Sequence, residues 1–342
     1  MEENGVKCSL CGSSIKILER NHMGYLQSDT FKICYCLSCN TQFSYPKVET
    51  SYIYDLIYKN AEVLPGYHRY YRYKNAVKTR KKPLRYLAKI EDAYWVIREL
   101  LKQEKEKQKT LKILEVGCGM GYLTYAIHKE GYKIIGLDIS ENAIKEATKD
   151  FGQLYICADV FDYANTHKDE YDLIILTQVF EHIEEPIKWA GVLMSMLNND
   201  GKIIITTENK SIYPENAVWQ TDLPPVHLWW FSEESMIYIA NKLNANICFM
   251  DFSHCRIGSS GINIVPATTT PHFDNDGRLI PKEYKIYPKN PFFLAITKKN
   301  QFAQCVYRKY YYRIYSRYFK KHDIVFGKRR LIMGCVLTKK QL

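Results

Sequence analysis

The 342 residues contain no apolar run of the ~18 residues that a transmembrane helix needs, so the sequence offers no membrane span. The opening Met1-Glu-Glu-Asn-Gly5 lacks the basic and then apolar stretches of an export signal, and the expected location is cytoplasmic. No internal repeat and no low-complexity tract is visible, which leaves ordinary globular domains. An odd count of 11 cysteines, without an export signal, argues against a disulfide framework. What is present suits a soluble chain of about two domains. Hydrophobic residues at 46% are ample for a core, and 25% charged residues are ordinary for a globular surface. The net charge of +11 is concentrated in Arg69–Arg85 and Lys298–Arg330. Such stretches suit phosphates on nucleic acid, nucleotide-sugars or lipid headgroups, or simply a solvated surface.

Three regions differ in texture. Residues 1–46 are short, rich in cysteine and poor in periodic segments. Cys8-x2-Cys11 and Cys36-x2-Cys39 are two knuckles separated by 24 residues. Four thiolates so paired make a tetrahedral structural Zn2+ site, closed to chemistry, and a segment this short folds poorly without a metal. Residues 47–110 form a Tyr-rich basic linker followed by a helix expected from Leu84 to about Gln103, with Pro83 at its start. Residues 111–342 alternate short apolar runs with amphipathic stretches, the texture of βαβ units on a parallel sheet. The runs are 111–116, 133–137, 154–157, 173–176, 202–206 and 246–251. Asn198-Asn-Asp-Gly201 reads as a turn before the fifth run. A last strand is expected at 331–337, with 292–296 as a rival. Residues 252–328 read as a substrate-shaping and basic helical insertion.

Glu115-Val-Gly-Cys-Gly-Met-Gly121 follows the first run and precedes a helix. Glycines allow a sharp turn and a close ligand, and such turns sit at strand carboxyl ends, where open α/β sheets bind ligands. Asp138, closing the second run, suits ribose hydroxyls through charge-assisted hydrogen bonds. Asp159 follows the third run, where an acid and adjacent N–H groups read an adenine edge. A nicotinamide enzyme would share the glycine turn and the ribose acid. Its fingerprint is Gly-x-Gly-x-x-Gly with pyrophosphate at the helix terminus. Here the spacing is Gly117-x-Gly119-x-Gly121, and Glu115 beside it would repel pyrophosphate while suiting ammonium and sulfonium charges.

On these motifs, with Glu181-His182-Ile183 after the fourth run, residues 111–207 resemble the core of class I S-adenosylmethionine-dependent methyltransferases. The nearest branch holds ubiquinone-biosynthesis O-methyltransferases and sugar or glycan methyltransferases. The four-cysteine segment resembles the amino-terminal zinc-binding module of some bacterial sugar and glycan methyltransferases. The resemblance implies an α/β fold: a Rossmann-like seven-stranded methyltransferase sheet, last strand antiparallel, with an N-terminal zinc ribbon and a helical linker. It implies S-adenosylmethionine and Zn2+ as cofactors. It places Glu115, Gly117, Cys118, Gly119 and Gly121 at the methionine end and Asp138 with Ile139 at the ribose. It puts Asp159 and Val160 at the adenine, and Gln178 near the cofactor. Cys8, Cys11, Cys36 and Cys39 are the metal ligands.

Two histidines are candidate general bases for a hydroxyl acceptor. His182 follows the fourth run, and His227 sits in the aromatic stretch Leu223-Pro-Pro-Val-His-Leu-Trp-Trp-Phe-Ser232. The favoured function is O-methylation of a sugar: a nucleotide-sugar, glycan or lipid-linked saccharide. An RNA methyltransferase and a non-catalytic scaffold are the alternatives. No Asn-Pro-Pro-Tyr-type motif follows the fourth run, which disfavours base N-methylation. Residues 302–321 carry Tyr307, Tyr311, Tyr315 and Tyr318 at near-helical spacing among Arg and Lys. That pattern fits a helix docked on the sheet first, peripheral membrane contact second and nucleic acid third. The partner is a small-molecule or glycan acceptor, and the oligomeric state is open.

Overall fold

The computed structural model describes residues 6–64, 67–106, 110–212, 223–255, 257, 271–280 and 329–340. Two sheets organise them. The first starts as an antiparallel meander of β1 (Lys16–Met23), β2 (Thr30–Cys36) and β3 (Thr41–Tyr45). One cysteine pair lies in the loop before β1 and the other at the β2–β3 turn.

Four helices follow: α1 (Ser51–Asn60), α2 (His68–Thr79), α3 (Pro83–Leu87) and α4 (Asp92–Glu106). The single helix expected from Leu84 is therefore two. Pro83 does start α3, but the chain turns between Ala88 and Glu91. In that turn the Glu91 carboxylate accepts the Tyr73 hydroxyl at 2.5 Å and lies 3.4 Å from the Arg69 guanidinium. Helical periodicity carries no trace of bonds to another helix. Within α4, Val96, Ile97, Leu100 and Leu101 recur on one face and are buried.

The second sheet is built from β4 (Lys112–Val116), α5 (Tyr122–Lys129), β5 (Lys133–Asp138), α6 (Glu141–Phe151), β6 (Tyr155–Cys157) and α7 (Val160–Thr166). It continues with β7 (Tyr171–Thr177), α8 (Pro186–Met196) and β8 (Leu197–Glu208). After β9 (Trp229–Trp230) come α9 (Glu233–Lys242), β10 (Ala245–Phe249) and β11 (Ile332–Lys339). The strand order is β10-β11-β8-β7-β4-β5-β6, and β11 runs antiparallel to both neighbours. This is the expected seven-stranded sheet with its last strand reversed. Strand β11 falls where 331–337 was expected. The rival strand at 292–296 and the helix at 302–321 lie outside the described residues.

Asn198-Asn-Asp-Gly201 does not separate two elements. Tyr171 pairs with Leu197 and Leu173 with Lys202, so the segment is an irregularity inside β8, accommodated against the Tyr171–Leu173 register. Each face of the sheet has its own core. Ile113, Leu173, Ile175 and Ile204 pack with Leu84, Leu87, Ile97 and Leu100 from α3 and α4. Leu114, Val116, Ile174 and Leu176 pack with α8, α9 and the four-cysteine module, including Cys34, Phe43 and Trp229. The module thus shares a continuous core with the second sheet. Strand β9 belongs to the first sheet, not the second: it pairs with β3 and completes the order β1-β2-β3-β9.

Candidate functional site

The glycine turn stands at the carboxyl end of β4, between neighbours β5 and β7, where crossovers leave to opposite sides. The N–H groups of Gly117 and Cys118 both donate to Leu137 O, at 2.8 and 3.1 Å. Gly117 and Gly121 have φ of 74° and 71°. A Cβ at Gly117 would lie 2.6 Å from Val179, and one at Gly121 would lie 2.6 Å from the Tyr155 ring. Only glycine satisfies both the backbone and the space there.

Gly119 N donates to Asp138 Oδ2 at 2.8 Å, and Ser140 N donates to Oδ1 at 2.9 Å. Asp138 therefore holds the turn and keeps lone pairs for a ligand. Burial raises its pKa, and these N–H groups oppose the rise. Glu115 lies beneath the turn, hydrogen-bonded to Thr124 of α5. Burial pushes its carboxyl up to about 8, with the Thr124 bond opposing and Asp138 adding to the rise. Asp159 caps α7, accepting Phe161 N at 2.7 Å, and Val160 is buried as the first residue of that helix. Ile139 is exposed, and Cys118 is buried beside Gly136. Gln178 adopts φ of 55°, a left-handed backbone uncommon for non-glycine residues and a mark of functional positions.

A cavity of about 1920 Å³ runs from Gly117, Asp138 and Asp159 to His182, His227 and Glu208. Pockets for one drug-sized ligand hold roughly 300–1,000 Å³, so a cofactor and an acceptor fit together. His182 Nδ1 is 2.8 Å from Val226 O. A carbonyl only accepts, so Nδ1 carries the proton. Burial pushes the His182 pKa down to about 4, and the Val226 bond opposes that. The ring is neutral near pH 7, with its lone pair on Nε2. His227 meets it edge to face, with centroids 4.5 Å apart at 85°, and burial and His182 push its pKa down as well.

Several wall residues went unseen in the sequence, whereas Glu181 was already part of the Glu181-His182-Ile183 motif. Glu181 and Glu208 are both buried and line the cavity. Burial raises the Glu208 pKa, and Arg69 opposes the rise. Helix α1 supplies Tyr54 and Tyr58, α2 supplies Arg69 and Tyr70, and Tyr67 stands just before α2. The one cue was the density of tyrosine in 47–82, whose spacing of three and four residues puts rings on one helix face.

Among the described residues, two groups bring at least three ligand atoms within 4.8 Å of one another: Cys8, Cys11, Cys36 and Cys39, and Glu181, His182 and His227. In the first, Cys8 and Cys39 sulfurs are 3.6 Å apart and Cys11 and Cys36 sulfurs 3.4 Å apart. A tetrahedral thiolate site with bonds of ~2.3 Å places its sulfurs about 3.8 Å apart, so the four fit a zinc ion. In the second, the His182 Nδ1 bond to Val226 leaves only Nε2 to offer.

Residues 86–248 match a protein-family model described as a methyltransferase domain. A ubiquinone biosynthesis O-methyltransferase of Thiobacillus denitrificans is 29% identical over 107 residues, covering 29% of this chain and 45% of that protein. One from Coxiella burnetii is 30% identical over 114 residues, covering 31% and 48%. The chain thus spans less than half the length of the curated relatives it matches. Among solved structures, an S-adenosylmethionine-dependent methyltransferase from Archaeoglobus fulgidus is similar at 18% identity and a TM-score of 0.38. The match covers 71% of this chain and 94% of that one.

Proposed function

We propose that the chain is an S-adenosylmethionine-dependent methyltransferase, a reading supported by the match of residues 86–248 to a methyltransferase-domain model, and that it O-methylates a sugar. The observation that carries this is the His182 ring: neutral, held through Nδ1–H by Val226 O, in the cavity that also contains the glycine turn. S-adenosylmethionine, when bound, supplies an electrophilic methyl carbon on a sulfonium that departs as a neutral thioether.

The chain's residues supply the rest. The Gly117–Gly121 backbone and Glu115 hold the methionine end, Asp138 the ribose, and Asp159 with Val160 the adenine. The acceptor hydroxyl oxygen forms the new bond to carbon, and its proton passes to His182 Nε2. Alignment of oxygen and methyl within the cavity is the larger contribution. The cavity is lined by tyrosines from α1 and around α2 together with Glu181, Glu208 and Arg69, a set that suits a ring with apolar faces and hydroxyl edges. Cys8, Cys11, Cys36 and Cys39 would hold one Zn2+, which would stabilise the module and take no part in methyl transfer. No helix among the described residues is long and apolar enough to cross a membrane.

The experiment has two stages. Calorimetry with S-adenosylhomocysteine should show binding, and a flat titration of folded, zinc-replete protein ends the methyltransferase reading. Labelled methyl transfer onto a panel of nucleotide-sugars, saccharides and phenols then tests the sugar. Transfer to phenols alone would replace it.

A further inference from the structure

The segment that carries His227 is bonded on both sides. From the four-cysteine module, Tyr25 N donates to Pro224 O at 3.1 Å and Ser44 N to Leu228 O at 3.0 Å. The Ser44 hydroxyl donates to His227 O at 3.2 Å. Gln42 pairs with Trp230 and Phe43 with Trp229, the last two with rings 5.7 Å apart. From the turn after β7, His182 Nδ1 donates to Val226 O at 2.8 Å and Trp229 Nε1 to Ile183 O at 2.7 Å. Leu228 N donates to Glu181 O at 3.1 Å. Residues 224–230 are thus a ribbon between β3 and residues 181–183, and the carbonyl that selects the His182 tautomer belongs to it.

We propose that Ser44 is a positioning residue of the acceptor site, and that the four-cysteine module acts through it to set the His182 tautomer. Ser44 is buried and spends both its N–H and its hydroxyl on consecutive carbonyls of the ribbon. The Val226–His227 peptide plane is held at its N–H, which His227 N donates to Leu223 O at 3.0 Å, and the Ser44 hydroxyl on His227 O fixes the next plane along, so the two together set the direction of Val226 O. A neutral imidazole without that acceptor exchanges its proton between the two nitrogens, and Nε2 is then protonated part of the time. Such a ring has lost its lone pair where it is needed. The cofactor end stands apart, because Gly117–Gly121 and Asp138 are held by β4 and β5. The inference adds to the methyltransferase reading a role for the module in the acceptor half alone.

The test reads histidine 15N shifts at pH 7 in full-length zinc-replete protein, with calorimetry against S-adenosylhomocysteine in parallel. The wild type should give one His182 species with Nδ1 protonated. Ser44→Ala should move that signal towards the two-tautomer average, while the dissociation constant stays within about twofold. Cys36→Ser, which breaks the module at its metal ligands, should do the same more completely wherever it still binds. An unchanged His182 signal in Ser44→Ala overturns the proposal, and that variant decides alone if Cys36→Ser does not fold. The signal is read without cofactor, so a wild type that fails to bind S-adenosylhomocysteine would refute the proposed function without touching this result.

Discussion

Gly119 N and Asp138 Oδ2 are joined by a 2.8 Å hydrogen bond, so one carboxylate organises the glycine turn and faces the place expected for the ribose. Loss of that group removes two functions at once. Asp138→Ala should weaken S-adenosylhomocysteine binding by about 10–100-fold, the scale of one or two hydrogen bonds to a charged group. Asp138→Asn should lie between, because its amide oxygen replaces only one acceptor. Calorimetry checks the order, and a melting curve checks that both variants are folded.

The pH dependence of cofactor binding should follow Glu115. Its carboxyl titrates near 8 in the folded protein against 4.5 for an ordinary glutamate. The unfolded chain therefore binds fewer protons between those values, and the group's contribution to stability falls as pH rises from about 4.5 to 8. A bound ammonium or sulfonium favours the carboxylate, so binding at pH 6.5 should release protons. Affinity should climb by up to about tenfold per pH unit and level off above 8. Calorimetry in buffers of different ionisation enthalpy measures the release, which Glu115→Gln should abolish.

Methyl transfer should depend on His182 more than binding does. With its pKa at about 4, the ring is an unprotonated base through the neutral range. Activity owed to it should be flat above about pH 5 and fall below. His182→Gln should lower kcat by about 10²–10⁴-fold, the range of general-base catalysis, and leave the cofactor dissociation constant nearly unchanged. Because unfolded histidine protonates near 6.5, the chain should also lose stability as pH falls from there towards 4, less steeply in His182→Gln.

Zinc should be present at close to stoichiometric amounts in protein purified without chelator. Cys39→Ser should abolish most of it and lower the melting temperature, because the four sulfurs sit in the same buried core as Leu114 and Leu176. Metal analysis alongside a melting curve decides this, and a metal-free protein with unchanged melting would remove zinc from the reading.

Local pattern was legible. The Gly117–Gly121 turn, Asp138, the cysteine knuckles and the alternation of apolar runs with helices depend on residues close in the chain. Such spacing is imposed by strand and helix geometry, so the seven-stranded sheet could be anticipated. The helix break at Ala88–Glu91 could not, because it serves bonds to Tyr73 and Arg69 on another helix. Nor could the cavity face of Tyr54, Tyr58, Tyr67 and Tyr70: their helical spacing predicts a shared side of a helix but not what lies opposite.

The candidate residues of the cofactor end were thus written in the order of the amino acids, since a strand, a turn and a helix bring them together over a few dozen positions. The acceptor end was decided by packing across the whole fold. Ser44 meets His227 across a sequence separation of 183, and β9 is only two residues long. A strand that short has no periodicity of its own, and its place on β3 exists only once the two sheets have closed around a common core.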